Sequence, residues 1–233
     1  MKLTIIIPVY NEAAHINELL FYLKNNLKQP TNTHILVVDG GSTDNTPQLV
    51  KNNFSSDNNI TLLNSPKGRG AQMNFGAKHA KGEILYFLHA DSYPPPFFDQ
   101  LIYNEISKKN LAGCFKMKFD HTHWWLRLAG WFTQFNLKFF RGGDQSLFIQ
   151  KELFNQLGGF PELHPIFEDF SLIRKLYKQN EFVVIQQSIT SSSRRYTENG
   201  IAKLQYHYWM MYLKKWCGVP TDRLVIYYKK NVR

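Results

Sequence analysis

Acidic residues at the ends of hydrophobic runs are the part of this 233-residue chain best placed to do chemistry. Ile35-Leu36-Val37-Val38 leads straight into Asp39, and Ile84-Leu85-Tyr86-Phe87-Leu88 leads into His89-Ala90-Asp91. A third acidic feature, Glu168-Asp169, stands where a helix is predicted to open. In an α/β protein with a parallel sheet, the strand C-termini line the ligand crevice, so carboxylates placed there face a bound molecule and not the core. Such oxygen ligands suit a hard divalent cation and the diphosphate it would bridge.

The elements that must position these groups alternate regularly over the first hundred residues, in the pattern of stacked βαβ units. Residues 3–9 form the first strand. Asn11 is predicted to cap the first helix, on which Ile16, Leu19, Leu20, Leu23 and Leu27 recur on one face. The strand ending at Asp39 runs into Gly40-Gly41-Ser42-Thr43-Asp44, a turn of residues that accept positive φ or cap helices, and Asp44 reads as the cap of a helix over 46–53. A third strand over 60–63, a basic glycine loop over 65–70, a helix over 71–80 and a fourth strand over 83–88 complete the series. Ser92-Tyr93-Pro94-Pro95-Pro96 is read as the turn that stops this strand, followed by a helix over 97–108.

The pattern loosens after that. A strand is predicted over 112–119, strand-like character over 145–149, and helices over 152–157 and 169–179. Residues 123–140 pack Trp124, Trp125, Trp131, Phe132, Phe135, Phe139 and Phe140 around Arg127 and Lys138. Read as one helix, this segment lies on a membrane interface, closes over a substrate pocket, or packs in the core, and the sequence leaves all three open. The last residues, 201–233, read as a helical extension rich in Tyr, Trp and Met, with Lys214 and Lys215 at the end of its main helix.

Composition sets the outer limits. The length fits one α/β domain with an extension. The formal charge of +10 needs a solvated surface or an acidic partner, such as an anionic membrane or a nucleotide substrate; no nucleic acid is expected. Cys114 and Cys217 are too few and too far apart for a metal knuckle or a disulfide framework, which fits a reducing compartment. Pro8 and the polar Asn11-Glu12 break the N-terminal apolar run, which reads as a strand and not a signal peptide, and no run reaches the roughly 18 apolar residues of a spanning helix. The expected location is the cytoplasm, with peripheral contact on the inner membrane face.

Four segments together carry a family resemblance. Ile6-Ile7-Pro8-Val9-Tyr10-Asn11-Glu12, Val37-Val38-Asp39-Gly40-Gly41-Ser42-Thr43-Asp44, His89-Ala90-Asp91 and Glu168-Asp169, in this order, resemble a family 2 glycosyltransferase with the nucleotide-diphospho-sugar transferase (GT-A) fold. The likeness covers roughly residues 3–200. Within the family, Gly68-Arg69-Gly70-Ala71-Gln72-Met73-Asn74 joined to Leu88-His89-Ala90-Asp91 is similar to a bacterial subgroup of small soluble members. The fold so implied is α/β, with a Rossmann-like mixed, mostly parallel sheet flanked by helices. A nucleotide-sugar-binding half would span 1–110 and an acceptor and catalytic half 111–200.

The resemblance also implies roles. Pro8, Tyr10 and Glu12 would border the nucleotide, and Asp39 would contact the base, typically uracil, in a UDP- or GDP-sugar. Asp91 matches the last acid of the family's Asp-X-Asp motif and would hold Mg²⁺ or Mn²⁺; His89 stands where the first acid is usual, which shifts preference toward Mn²⁺. Asp169, paired with Glu168, would be the general base for a hydroxyl acceptor on a lipid, polyol or saccharide, in a single inverting displacement. Asp144, in Gly142-Gly143-Asp144-Gln145, is a candidate for acceptor binding, while Arg69, Arg194 and Arg195 are candidates for offsetting phosphate charge. The plainer alternatives are a turn acid for Asp39, a helix cap for Asp169 and solvated charges for the arginines. Competing functions are a sugar nucleotidylyltransferase, which would carry a basic glycine loop directly after the first strand, and a basic membrane- or nucleic-acid-binding module without catalysis. A dehydrogenase is disfavoured because no G-x-G-x-x-G follows a strand.

Overall fold

The computed structural model describes residues 1–142, 145–161 and 168–232. Its first part is the regular alternation β1 (Leu3–Val9), α1 (Ile16–Asn26), β2 (Thr33–Asp39), α2 (Thr46–Phe54), β3 (Ile60–Asn64), α3 (Arg69–His79) and β4 (Ile84–Phe87). Then follow β5 (Ser92–Tyr93), α4 (Phe98–Ser107), β6 (Ala112–Phe119), α5 (Trp124–Phe132), β7 (Leu147–Gln150), α6 (Lys151–Gln156), α7 (Glu168–Lys178), β8 (Val183–Ser191), α8 (Arg194–Asn199), α9 (Ile201–Trp216) and α10 (Thr221–Asn231). The strands among the described residues form one sheet in the order β3-β2-β1-β4-β7-β6-β8-β5. Pairings β2–β3, β1–β2, β1–β4 and β6–β8 are parallel; β4–β7, β6–β7 and β5–β8 are antiparallel. This is the mixed, mostly parallel α/β sheet that the sequence predicts.

β1 is buried along almost its whole length, as a central parallel strand covered on both faces must be. Leu3, Ile5, Ile7 and Val9 pack into one core layer with Leu19, Leu20 and Leu23 of α1 and Phe98 and Ile102 of α4. Ile6 points to the opposite layer, shared with Met73 and Ala77 of α3, Leu153 of α6 and Leu172 and Leu176 of α7. At Gly76 an added Cβ would sit 2.5 Å from Ile6 Cγ2, so glycine is what lets α3 lie close on β1.

Several local expectations change. Asn11 does not cap α1, which begins at Ile16; it adopts φ 56°, and its side-chain oxygen accepts the Thr43 amide at 2.8 Å. Asn tolerates this left-handed conformation, and the bond to the neighbouring turn holds it there. Helix α3 opens at Arg69 and not in the 71–80 stretch, because Gly68, at φ 140°, turns the chain directly into it. Ser92-Tyr93 is a short strand on β8, not only a turn. The 123–140 segment is not one helix: α5 stops at Phe132, and a 3-10 turn forms only at Lys138–Phe140. The buried Arg141 guanidinium explains the break, since it collects the carbonyls of Thr133, Phe135 and Leu137, which a continuous helix would keep for its own ladder.

Candidate active site

The β1–α1 loop is fixed from outside itself. Asn11 N donates to Ser42 Oγ (2.9 Å), Glu12 N to Thr46 Oγ1 (2.8 Å) and Ala13 N to Asp44 Oδ2 (3.1 Å). Asp44 also accepts from the Thr46 amide at 2.9 Å, so although Asn45 holds the N-cap position, Asp44 satisfies the first amide of α2 while holding the neighbouring loop. Asp39 is buried, and its carboxylate accepts from the amides of Gly41 (3.0 Å) and Ser42 and from the Ser42 hydroxyl. Its first task is thus to shape the Gly41-Ser42 turn. Beneath this edge, the Gln72 side-chain amide donates to Val9 O (2.8 Å) and Val38 O (2.7 Å), tying together the C-terminal ends of β1 and β2.

Pro8 lies within β1, opposite Val38. Tyr10 follows at the strand end, 38% exposed, with the Lys67 ammonium 3.7 Å above its ring. Lys67 was not singled out by the sequence, although it belongs to the basic loop that was. Arg69 occupies the first turn of α3, where unpaired helix amides favour an anion.

Glu12 lies under Arg194, whose Nη2 is 3.6 Å from Oε1; Oε2 is buried without a hydrogen-bond partner. Burial raises the Glu12 pKa against the lowering effect of Arg194, and the Asp91 carboxylate adds to the rise. The Tyr93 phenol is likewise pushed up to about 12, chiefly by burial, with Glu18 and Asp91 contributing. This corner is therefore rich in carboxylate oxygen, with one acceptor orphaned. Among the described residues no three His, Cys, Asp or Glu side chains converge into a ready-made metal cage. The donor set still fits a hard cation of the kind held by one or two carboxylates together with substrate phosphates.

His89 and Asp169 are brought together from eighty residues apart: both line a small cavity with Met73, Phe87, Gly142, Ser146, Leu147 and Ile173. Asp169 sits in the first turn of α7, whose positive end favours an ionised carboxylate. Asp91 is not among the cavity's lining residues; its carbonyl accepts the Ser192 amide, pinning the β4–β5 connection to the end of β8. Asp144 lies outside the described residues, as does the side chain of Glu168, whose backbone opens α7. Arg195 Nη1 donates to Tyr228 Oη of α10 at 3.1 Å, so the two consecutive arginines make different contacts.

Ser146 is a cavity residue that sequence reasoning missed. It is a buried non-glycine residue at φ 63°, and its Oγ has no hydrogen-bond partner. The buried hydroxyl of Tyr86 lies beside it, its pKa raised by burial. A serine preceding a hydrophobic strand gives no local sign of either property.

A parallel α/β half, acids at or just beyond its strand ends and a helix-borne carboxylate sharing a cavity with His89 define the nucleotide-diphospho-sugar transferase (GT-A) fold class. The chain belongs to glycosyl transferase family 2, whose model matches residues 4–175. A dolichyl-phosphate beta-glucosyltransferase, ALG5C, of Trichomonas vaginalis is 38% identical over 96 residues, 38% of this chain and 28% of that protein. The poly(ribitol-phosphate) beta-N-acetylglucosaminyltransferase TarS of Staphylococcus aureus is 35% identical over 96 residues, 40% of this chain and 17% of that protein. The alignments thus take in about a third or less of these relatives. Among solved structures, S. aureus TarS residues 1–349 with UDP superposes with a TM-score of 0.68 at 22% identity, over 82% of this chain and 60% of that one. A Pyrobaculum calidifontis mannosyltransferase with GDP-Man and Mn²⁺ gives 0.64 at 22% identity, over 90% of this chain and 60% of that one. At this identity the two structures show a shared fold.

Proposed function

We propose that the protein is an inverting glycosyltransferase that moves a sugar from a nucleoside-diphosphate donor, a UDP- or GDP-sugar, to a hydroxyl acceptor on a lipid, polyol or saccharide. The observation that carries this reading is the cavity at the sheet's C-terminal edge, where α7 delivers Asp169 opposite His89. The solved neighbours with UDP and with GDP-Man support the donor class. Residues 1–110 supply the donor side, 111–200 the acceptor and catalytic side, and 201–233 an extension; a cytoplasmic location belongs to the same reading.

Tyr10, Pro8 and Glu12 border the nucleotide. Asp39 holds its turn with three of the about four acceptor sites of a carboxylate and offers the one that remains to a base imide N–H. The first turn of α3, with Arg69, and Lys67 and Arg194 face the diphosphate charge. Asp91, with His89 and the orphaned Glu12 oxygen as further donors, would hold Mg²⁺ or Mn²⁺, and the bound ion would stabilise the charge that develops on the departing diphosphate. Asp169 removes the acceptor hydroxyl proton as that oxygen bonds to the anomeric carbon. The bond from this carbon to the diphosphate oxygen breaks on the opposite face, and its electron pair leaves with the nucleoside diphosphate, which inverts the centre.

Mass-spectrometric screening of nucleotide sugars for release of nucleoside diphosphate, with and without Mg²⁺, Mn²⁺ or chelator, tests the reading. Asp91→Ala is expected to abolish the divalent-ion dependence of donor binding. Donor binding by the wild type that is equally tight in chelator removes the metal from the proposal, leaving Lys67, Arg69 and Arg194 to neutralise the phosphates. No binding or turnover of any nucleotide sugar removes the proposal itself.

A further inference from the structure

The outward faces of α5 and α9 carry apolar groups where a surface helix ordinarily carries polar ones. On α5, Trp124 and Trp131 are 66% and 53% exposed and lie about two helical turns apart. On α9, Tyr206, Trp209, Leu213 and Trp216 are exposed and recur at three- and four-residue spacing, with Trp216 86% exposed; the buried side is held by Leu204 and Met211. The two faces adjoin through Trp125. Its ring meets Trp124 and Trp209 edge-on, each at 5.7 Å, and its indole N–H donates to Gln205 Oε1 at 3.1 Å.

The charge around this surface is predominantly positive. Residues 121–142 contain no Asp or Glu, and residues 194–233 contain nine Lys and Arg against Glu198 and Asp222 alone. A large exposed apolar face marks an interaction site. A second copy of this chain would set cationic surface against cationic surface, whereas an anionic bilayer offers complementary charge and an interfacial layer suited to indole rings. The face also borders the catalytic corner: Tyr212 lies 6.3 Å from the ring of Phe170, and Lys215 Nζ is 4.5 Å from that ring, one residue from Asp169. Among the described residues no helix is long and apolar enough to cross a membrane, so the contact would be peripheral.

We propose that the α5–α9 face docks on an anionic lipid bilayer, and that Asp169 acts at the edge of this contact on the hydroxyl of a membrane-embedded amphiphile. The docking stands on the surface alone; the identity of the acceptor rests on the transferase reading above.

Flotation of the full chain with phosphatidylcholine vesicles, with or without about 30 mol% phosphatidylglycerol, tests the docking. Binding is expected on the anionic vesicles at about 0.1 M salt and at least about tenfold weaker at about 0.5 M, where charges are screened. Trp209→Ala/Trp216→Ala should weaken it by at least about tenfold while leaving donor binding unchanged, with the melting temperature lowered by no more than a few degrees through the lost Trp209–Trp125 contact. A wild type that stays in solution at low salt, a double variant that floats like the wild type, or a dimer in sedimentation velocity that the double variant dissociates would each overturn the docking. For the acceptor, transfer to a hydroxyl-bearing lipid in anionic vesicles should exceed transfer to a water-soluble polyol and fall with the double variant; equal transfer to both overturns that half. Flotation without turnover of any donor would instead count against the transferase reading.

Discussion

The two halves of the sheet meet at one cavity but are built differently. Residues 1–110 carry ten Lys and Arg against nine Asp and Glu, whereas residues 111–233 carry eighteen against nine. The first half places its site residues at the ends of neighbouring parallel strands and locks the connecting loops with buried polar bonds, as Gln72 does for β1 and β2. The second half reaches the same site through antiparallel β7, through β8 and through the first turn of α7, and it exposes its largest aromatic groups. On the proposed function this difference is a division of labour: a nearly neutral platform that would take the donor, and a cationic, aromatic side on which acceptor choice and surface attachment would depend.

The most severe way to break this comparison is at Asp169, which belongs to the second half but, as the proposed base, would work on chemistry set up by the first. Asp169→Asn should lower kcat by roughly 10²–10⁴ with donor affinity nearly unchanged. A variant with near-normal turnover takes Asp169 out of the base role and leaves the second half without its catalytic part.

The platform itself is tested at Gln72. Gln72→Leu keeps the side chain's size but removes both bonds to Val9 O and Val38 O, and is expected to lower stability by about 1–3 kcal/mol and to weaken donor binding. Thermal melts together with donor titration check this. Unchanged donor affinity in a destabilised variant would mean that the strand ends do not need this tie to present the site.

The smallest effect concerns pH. The Glu12 pKa is raised in the folded protein, mainly by burial, so the folded state holds this proton more tightly than the unfolded chain does. As pH rises from about 4 through the raised value, the unfolded chain loses the proton first and stability falls, then levels off. Glu12→Gln should remove this fall, leaving the variant relatively more stable at neutral pH than at pH 4, as melts across the range would read. A wild-type profile that rises over this window means that the Arg194 pairing outweighs burial.

Much of the first half was legible locally, because a buried parallel strand followed by a turn and a periodic helix leaves a signature within a dozen residues. Asp39 and Asp91 could be set at strand ends for that reason. The limits of the 123–140 segment could not be read, since its break depends on Arg141 collecting carbonyls from within the segment. β8 and the short helix α8 were not assigned either, whereas α10 falls within the stretch read as a helical extension. β8 slips register against β6, where Phe115 pairs with Ile185 but Lys116 with Ser188, so its residues do not keep one alternation throughout.

By itself the sequence determined the α/β class, the order of the first elements and the family, since these follow from hydrophobic period and from motifs whose members are close in the chain. Only the tertiary structure decided that His89 shares a cavity with Asp169, that Glu12 lies under Arg194, and that Ser146 stands buried in a left-handed conformation beside them. It also decided that the tryptophans of α5 and α9 form one outward surface. These are contacts between segments tens of residues apart, fixed by strand order and core packing, and local periodicity carries no record of which distant segment will fill the other side.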